Sequence, residues 1–253
     1  MSEVNGRFDR LELPDGKKGV PWPEEERDSF LCLESADNNY YQGFFELALR
    51  EYARALKYNK GLIPAWVGQV KSLLDLKEIP EAEVWVNNAL SYFPKSAELL
   101  AAKAAVLCEQ GKVEEAMVYS DNSLGNESSA ENSWYPWVVR SRLLFFMRGK
   151  KTAKICLEKA VEENPNNWRL LMEVGKVYLK YRRFIEALLS FNKARDIEPG
   201  NAFLWFYLAK CHQGLHNRSQ VRLCCERALE LRCEFPEVQE LLNSCREKFW
   251  AFR

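Results

Sequence analysis

A period of 34 residues constrains this chain more than anything else in it. Units open at Ser29, Ile63, Ala97, Trp134, Trp168 and Ala202, with three residues inserted before Trp134 and a partial seventh unit opening at Pro236. Small residues hold the register. The eighth site of each unit carries Ala36, Val70, Ala104, Ser141, Gly175 and Ala209. The twentieth carries Ala48, Ala82, Ala116, Ala153, Ala187 and Val221, and the twenty-seventh Ala55, Ala89, Ser123, Ala160, Ala194 and Ala228. Ten of those last twelve sites are alanine, where average usage gives about one. Side chains this small, at fixed sites, mark places where two helices must touch.

Large apolar residues fill the complementary sites: Trp66, Leu100, Trp137, Leu171 and Trp205 at the fourth, and Tyr52, Val86, Leu157 and Phe191 at the twenty-fourth. Gly43 and Gly111 fall between the two halves of a unit, and Pro94, Pro165 and Pro199 near the unit ends, where proline stops a helix. Each unit therefore reads as helix, turn, helix. One such hairpin cannot bury its apolar face alone, so each must cover the next.

The pattern resembles the tetratricopeptide repeat (TPR) family, most closely at Leu171, Val174, Gly175, Tyr178, Ala187, Phe191, Ala194 and Pro199. The resemblance implies an all-α, right-handed superhelical solenoid with a concave inner surface. Its six units would span 29–62, 63–96, 97–130, 134–167, 168–201 and 202–235. Residues 236–253 would form a capping helix, with Val238, Leu241, Leu242 and Cys245 on its apolar side. Residues 1–28 lie outside the frame, and their glycines and prolines predict an irregular tail, partly disordered or packed on the first unit. The loop 125–133 should be exposed, and Trp250 and Phe252 are available to fold back or meet a partner.

Composition narrows the compartment and the chemistry. The longest apolar run, Ala202 to Ala209, is far below the ~20 residues of a membrane span, and the N-terminus shows no signal-peptide pattern. Eight cysteines without a CxxC pair suit buried thiols in a cytoplasmic protein. Phosphate-loop, HExxH, GxSxG and kinase signatures are missing, which predicts a non-enzyme without cofactors. His212 and His216 stand four apart near several cysteines, but His212 occupies a packing site and His216 a turn, so no metal is expected.

Surface recognition remains. In the family, sites two, five, nine and twelve or thirteen of each first helix face the groove. The ninth-site row reads Asp37, Lys71, Ala105, Arg142, Lys176, Lys210, placing three successive cations along units four to six. Around them the same face carries Tyr135, Val138, Phe145, Phe146, Arg169, Met172, Phe203 and Phe206. Cations among aromatics predict capture of a partner protein through an acidic peptide with apolar anchors. The clamp by which some relatives hold chaperone tails is missing: its sites hold Leu33, Asp37, Gly68, Glu98 and Ala102.

Charge leaves two alternatives open. Residues 1–133 carry 14 Lys and Arg against 23 Asp and Glu, and residues 134–253 carry 22 against 13, so the halves are −9 and +9. Head-to-tail self-association could use that asymmetry. Single-stranded nucleic acid could use the basic half, although a pI near 6.8 makes this the weaker reading.

Overall fold

The computed structural model describes residues 24–126 and 134–250, with side chains for 27–126 and 134–245. Among these residues every regular element is an α-helix. The first three units are α1 (Glu24–Tyr41) with α2 (Phe45–Tyr58), α3 (Ile63–Asp75) with α4 (Ile79–Tyr92), and α5 (Ala97–Glu109) with α6 (Val113–Gly125). Next come α7 (Trp134–Phe146) with α8 (Lys150–Glu163), α9 (Trp168–Lys180) with α10 (Phe184–Ile197), and α11 (Ala202–Gly214) with α12 (Arg218–Leu231). A last helix, α13 (Pro236–Trp250), packs on α12. Helix α1 starts at Glu24 and so extends into the stretch that the sequence leaves irregular. Residues 1–23, the loop 127–133 and Phe252 lie outside the described residues, as does the side chain of Trp250.

The small-residue sites explain the packing. All eighteen residues at the eighth, twentieth and twenty-seventh sites are buried. Gly175 shows why. A methyl group there would lie 2.5 Å from Cε1 of Phe191, whose fully buried ring stacks on Tyr207 at 5.0 Å and 3°. The twenty-fourth site holds Tyr52, Val86, Ser120, Leu157, Phe191 and Cys225, each at most 1% exposed. The unit core thus tolerates a serine or a cysteine where most units put a large side chain.

Each turn between paired helices repeats one geometry. The fifteenth site has positive φ in all six units: Gly43, Lys77, Gly111, Arg148, Arg182 and His216. The next residue's N–H then donates back to a carbonyl five residues earlier, as Phe44 does to Asn39 and Asn217 to His212. Glycine fills only two of these sites, so Lys77, Arg148, Arg182 and His216 carry left-handed strain that packing must offset. Asparagine or serine caps several first helices: Ser96, Asn167 and Asn201 accept from backbone N–H groups of α5, α9 and α11.

Helix α5, AELLAAKAAVLCE, is buried on all sides and packs against α3, α4, α6 and α7. Its alanines make it slim enough to draw those neighbours together. The Lys103 ammonium is held by Glu83 at 2.7 Å. Beyond it the solenoid closes on itself. The α1–α2 corner reaches units five and six: Tyr41 packs edge-on against Trp168 at 5.2 Å, Asn201 Nδ2 donates to the Tyr41 carbonyl at 3.0 Å, and Arg232 donates to the Gln42 carbonyl at 3.2 Å. Phe203 closes on the same corner, 5.9 Å from the Phe45 ring and against Gly43.

Candidate functional site

Closure turns the concave surface into a lumen, and that decides what its charged residues do. Acidic residues from the first three units meet the bases of units four and five there. Asp37 pairs with Arg169 at 2.8 Å, Asp75 with Lys176 at 2.9 Å, and Glu109 with Arg142 at 2.9 Å and with Lys180. Glu173 adds a central carboxylate, 6% exposed, 3.0 Å from Lys71 and 3.7 Å from Lys176. Tyr40 donates to Asp75 at 2.6 Å and to Glu173 at 3.3 Å, while Lys176 donates to the Tyr40 hydroxyl at 3.0 Å. The opposite charges offered for head-to-tail association thus meet, in these pairs, within one chain.

Proton affinities follow from this lattice. Burial pushes the Glu173 carboxyl up, but the ammoniums of Lys176 and Lys71 more than offset it and hold the group at about 2. Burial likewise works against the charged Lys176, and Asp75 and Glu173 overcome it, so Lys176 holds its proton more tightly than an ordinary lysine. Both stay ionised across the physiological range.

The lattice divides the lumen into two chambers, with Lys71 and Tyr135 lining both. One, of about 440 Å³, lies between units one, two, four and five, with Asp37, Tyr52, Trp134 and Arg169 on its walls. The other, of about 320 Å³, is basic. Six cations line it, Lys71, Lys77, Arg142, Lys176, Lys180 and Lys210, against three acids, Asp75, Glu109 and Glu173. Lys77, Lys180 and Lys210 are exposed and rim it, while Lys71, Arg142 and Lys176 lie deeper. Lys210 rests its ammonium 4.4 Å from the Phe206 ring centroid.

The residues expected on the inner face separate accordingly. Arg142, Lys176, Lys210, Tyr135 and Val138 line the basic chamber, and Arg169 with Tyr135 the other. The rest are not available as anchors. Met172 is 1% exposed; Phe203 and Phe206 pack with Phe235 in the core; Phe145 stacks on Tyr181 at 5.1 Å. Phe146 is exposed but lines neither chamber. The physical reason is closure, which presses the inner face of unit six onto the α1–α2 corner. Equally, Arg142 and Lys176 are not a free ladder, because Glu109 and Asp75 already hold them.

Reasoning from the ninth-site row alone misses Asp75, Glu109 and Lys180, all at the thirteenth site, and Glu173 and Tyr207 at the sixth. Lys71 with Asp75, and Lys176 with Lys180, are one helical turn apart and share a face. Reading the two rows together exposes the internal pairing. His212 and the neighbouring cysteines form no ligand set: among the described residues no three His, Cys, Asp or Glu side chains converge. Burial pushes the Cys211 and Cys225 thiols up to about 12, which makes them inert packing groups.

No protein-family model matches the sequence, and no curated protein does. Solved structures share its shape. PilW, a type IV pilus biogenesis factor, superposes with a TM-score of 0.53 at 18% identity, over 85% of this chain and 98% of PilW. The human IFIT1 dimer with PPP-AAAA superposes with a TM-score of 0.57 at 16% identity, over 79% of this chain but only 49% of the IFIT1 chain. The TPR protein YrrB aligns over 75% of this chain and 96% of its own at 18% identity, with a TM-score of 0.44. The fold is that of the TPR proteins. Within this TPR fold, no helix of the described residues is long and apolar enough to cross a membrane.

Proposed function

We propose that the protein is a non-catalytic interaction module that captures an acidic segment of a partner protein at the basic chamber, chiefly through the cations that units four to six supply to it. The observation that carries this reading is the excess of three positive charges around that chamber, with Lys77 and Lys210 at its rim outside ion-pair distance of any described carboxylate. Rim lysines that make no ion pair with a described residue, such as Lys77 and Lys210, draw in an anionic segment and fix its register. The rigid walls leave the ordering cost mainly on the ligand.

Lys210 is the residue to test. Reversing Arg142 or Lys176 would also break buried ion pairs of the fold, whereas Lys210 makes no ion pair among the described residues and rests its ammonium against the Phe206 ring. A fluorescently labelled acidic peptide should bind the wild type, lose at least tenfold affinity to Lys210→Glu, and gain affinity for Asp75→Asn, which leaves Lys176 with Glu173 as its one remaining acidic partner among the described residues. Equal affinity in all three proteins would sink the assignment.

A second reading is single-stranded RNA, favoured by the excess of cations around the chamber and by the shared fold with IFIT1, solved with PPP-AAAA. Clustered cations hold such strands by pairing with their phosphates. A steep log-affinity against log-salt slope with oligoadenylate, exceeding that of the acidic peptide, would decide for RNA.

A further inference from the structure

The basic chamber contains a feature that an acidic peptide does not account for. Tyr135 is 4% exposed, sits on the wall between the two chambers, and its hydroxyl has no hydrogen-bond partner among the described residues. Native proteins rarely leave a buried hydroxyl unpaired, because its desolvation is then uncompensated. It lies within electrostatic reach of Lys71, Arg142, Glu173 and Asp75, the charged core of the lumen. The same walls carry three more cations than acids, drawn from α3 (Lys71), the α3–α4 turn (Lys77), α7 (Arg142), α9 (Lys176, Lys180) and α11 (Lys210). An unsatisfied donor on the shared wall and an unbalanced charge therefore border one chamber of about 320 Å³.

We propose that this chamber is a binding site for a phosphoryl group on a small molecule, with Tyr135 donating to a phosphoryl oxygen and Lys77, Lys180 and Lys210 closing over it from the rim. Phosphoryl fits better than carboxylate for two reasons. One phosphoryl group brings about −1.5 to −2 charges at neutral pH, so two of them balance the excess of three, whereas each carboxylate brings one. Donors converging from five separate elements also suit a tetrahedral oxyanion, which accepts from all sides, better than a planar carboxylate. The inference shares with the proposed function the view that this chamber receives the ligand, but it does not require that ligand to be a protein.

Two substitutions probe the site without weakening the fold. Tyr135→Phe removes a hydroxyl that makes no internal bond, and Lys77→Gly removes a rim charge while relieving a φ of 68°. Calorimetric titration of the full chain with pyrophosphate, and with tricarballylate as a carboxylate of similar charge, gives the comparison. Pyrophosphate should bind one site at least tenfold more tightly than tricarballylate. Tyr135→Phe should weaken it about tenfold and Lys77→Gly about fivefold, both with thermal midpoints at or above wild type.

Equal affinity for the two anions, or wild-type pyrophosphate affinity in both variants, would overturn the proposal. Titrating the labelled acidic peptide in parallel separates the two ideas. Peptide capture without pyrophosphate binding leaves the interaction module standing and ends this inference. Pyrophosphate binding without peptide capture does the reverse.

Discussion

Replacing Glu173 by glutamine tests whether lumen closure stabilises the fold. The carboxylate is buried at 6% exposure and is shared by Lys71 at 3.0 Å, Lys176 at 3.7 Å and the Tyr40 hydroxyl at 3.3 Å. Its folded pKa of about 2, against an ordinary 4.5, corresponds to about 3 kcal/mol at 1.36 kcal/mol per unit. That matches the 3–5 kcal/mol typical of removing one partner from a buried pair. For a chain of this length it lowers the thermal midpoint by about 6–12 °C at pH 7. The pH dependence has a definite sign. Because the folded pKa is depressed, the contribution is fully present above about 4.5 and is lost as pH falls towards 2. Wild-type and Glu173→Gln melting curves should thus differ at pH 7, draw together below about pH 4.5 and converge only as pH falls through about 2, since the remaining acids titrate alike in both. Equal midpoints at pH 7, or a gap that stays constant into acid, would refute the reasoning.

Two other substitutions test the closure and the packing. Asn201 is 1% exposed; it caps α11 by accepting from Phe203 and Leu204 N–H groups and ties that cap to the Tyr41 carbonyl. Asn201→Ala should cost about 2 kcal/mol, one for the cap and one for the tie, and hydrogen exchange should quicken across residues 27–58. Gly175→Ala drives a methyl group into the Phe191 ring and should cost about 2 kcal/mol, with near-UV dichroism changed by the displaced Phe191–Tyr207 stack. Adding Phe191→Leu should recover part of that loss, because the smaller side chain vacates the space.

Repetition is what made the helices legible. A site that recurs six times can be recognised even when single units depart from it, as Ser120 and Cys225 do at the twenty-fourth site. Curvature has no such signal. How tightly the units wind depends on small angles between neighbouring hairpins, set by contacts such as those of the alanine-rich α5, and these angles accumulate along the chain. Whether Tyr41 meets Trp168, 127 residues later, is therefore not written at either position. The inner-face cations were legible as a row, but their availability was not, because the acids that hold Arg142 and Lys176 belong to units one would place across an open groove. Tyr135 gave no signal at all: a tyrosine at an inner-face site reads as a contact residue whether or not its hydroxyl is paired.

The charge asymmetry between the halves then takes on a different meaning. Asp37, Asp75 and Glu109 come from the acidic half, and Arg169, Lys176 and Arg142 from the basic half, so the asymmetry is partly a closure code that brings units one to three to units four and five. Two of those cations, Lys176 and Arg142, line the basic chamber, which couples fold and binding with opposite sign. Removing an acid frees a cation for an anionic ligand while weakening the closed lumen; removing a cation weakens both. Asp75→Asn should therefore bind anions more tightly yet melt lower than wild type, and bound anion should return much of that stability by mass action. A protein built only for stability would gain by neutralising Lys77 and Lys210 as well. Leaving them unpaired at the mouth of a chamber otherwise tied by internal ion pairs is the arrangement expected of a site that waits for its counter-charge from outside.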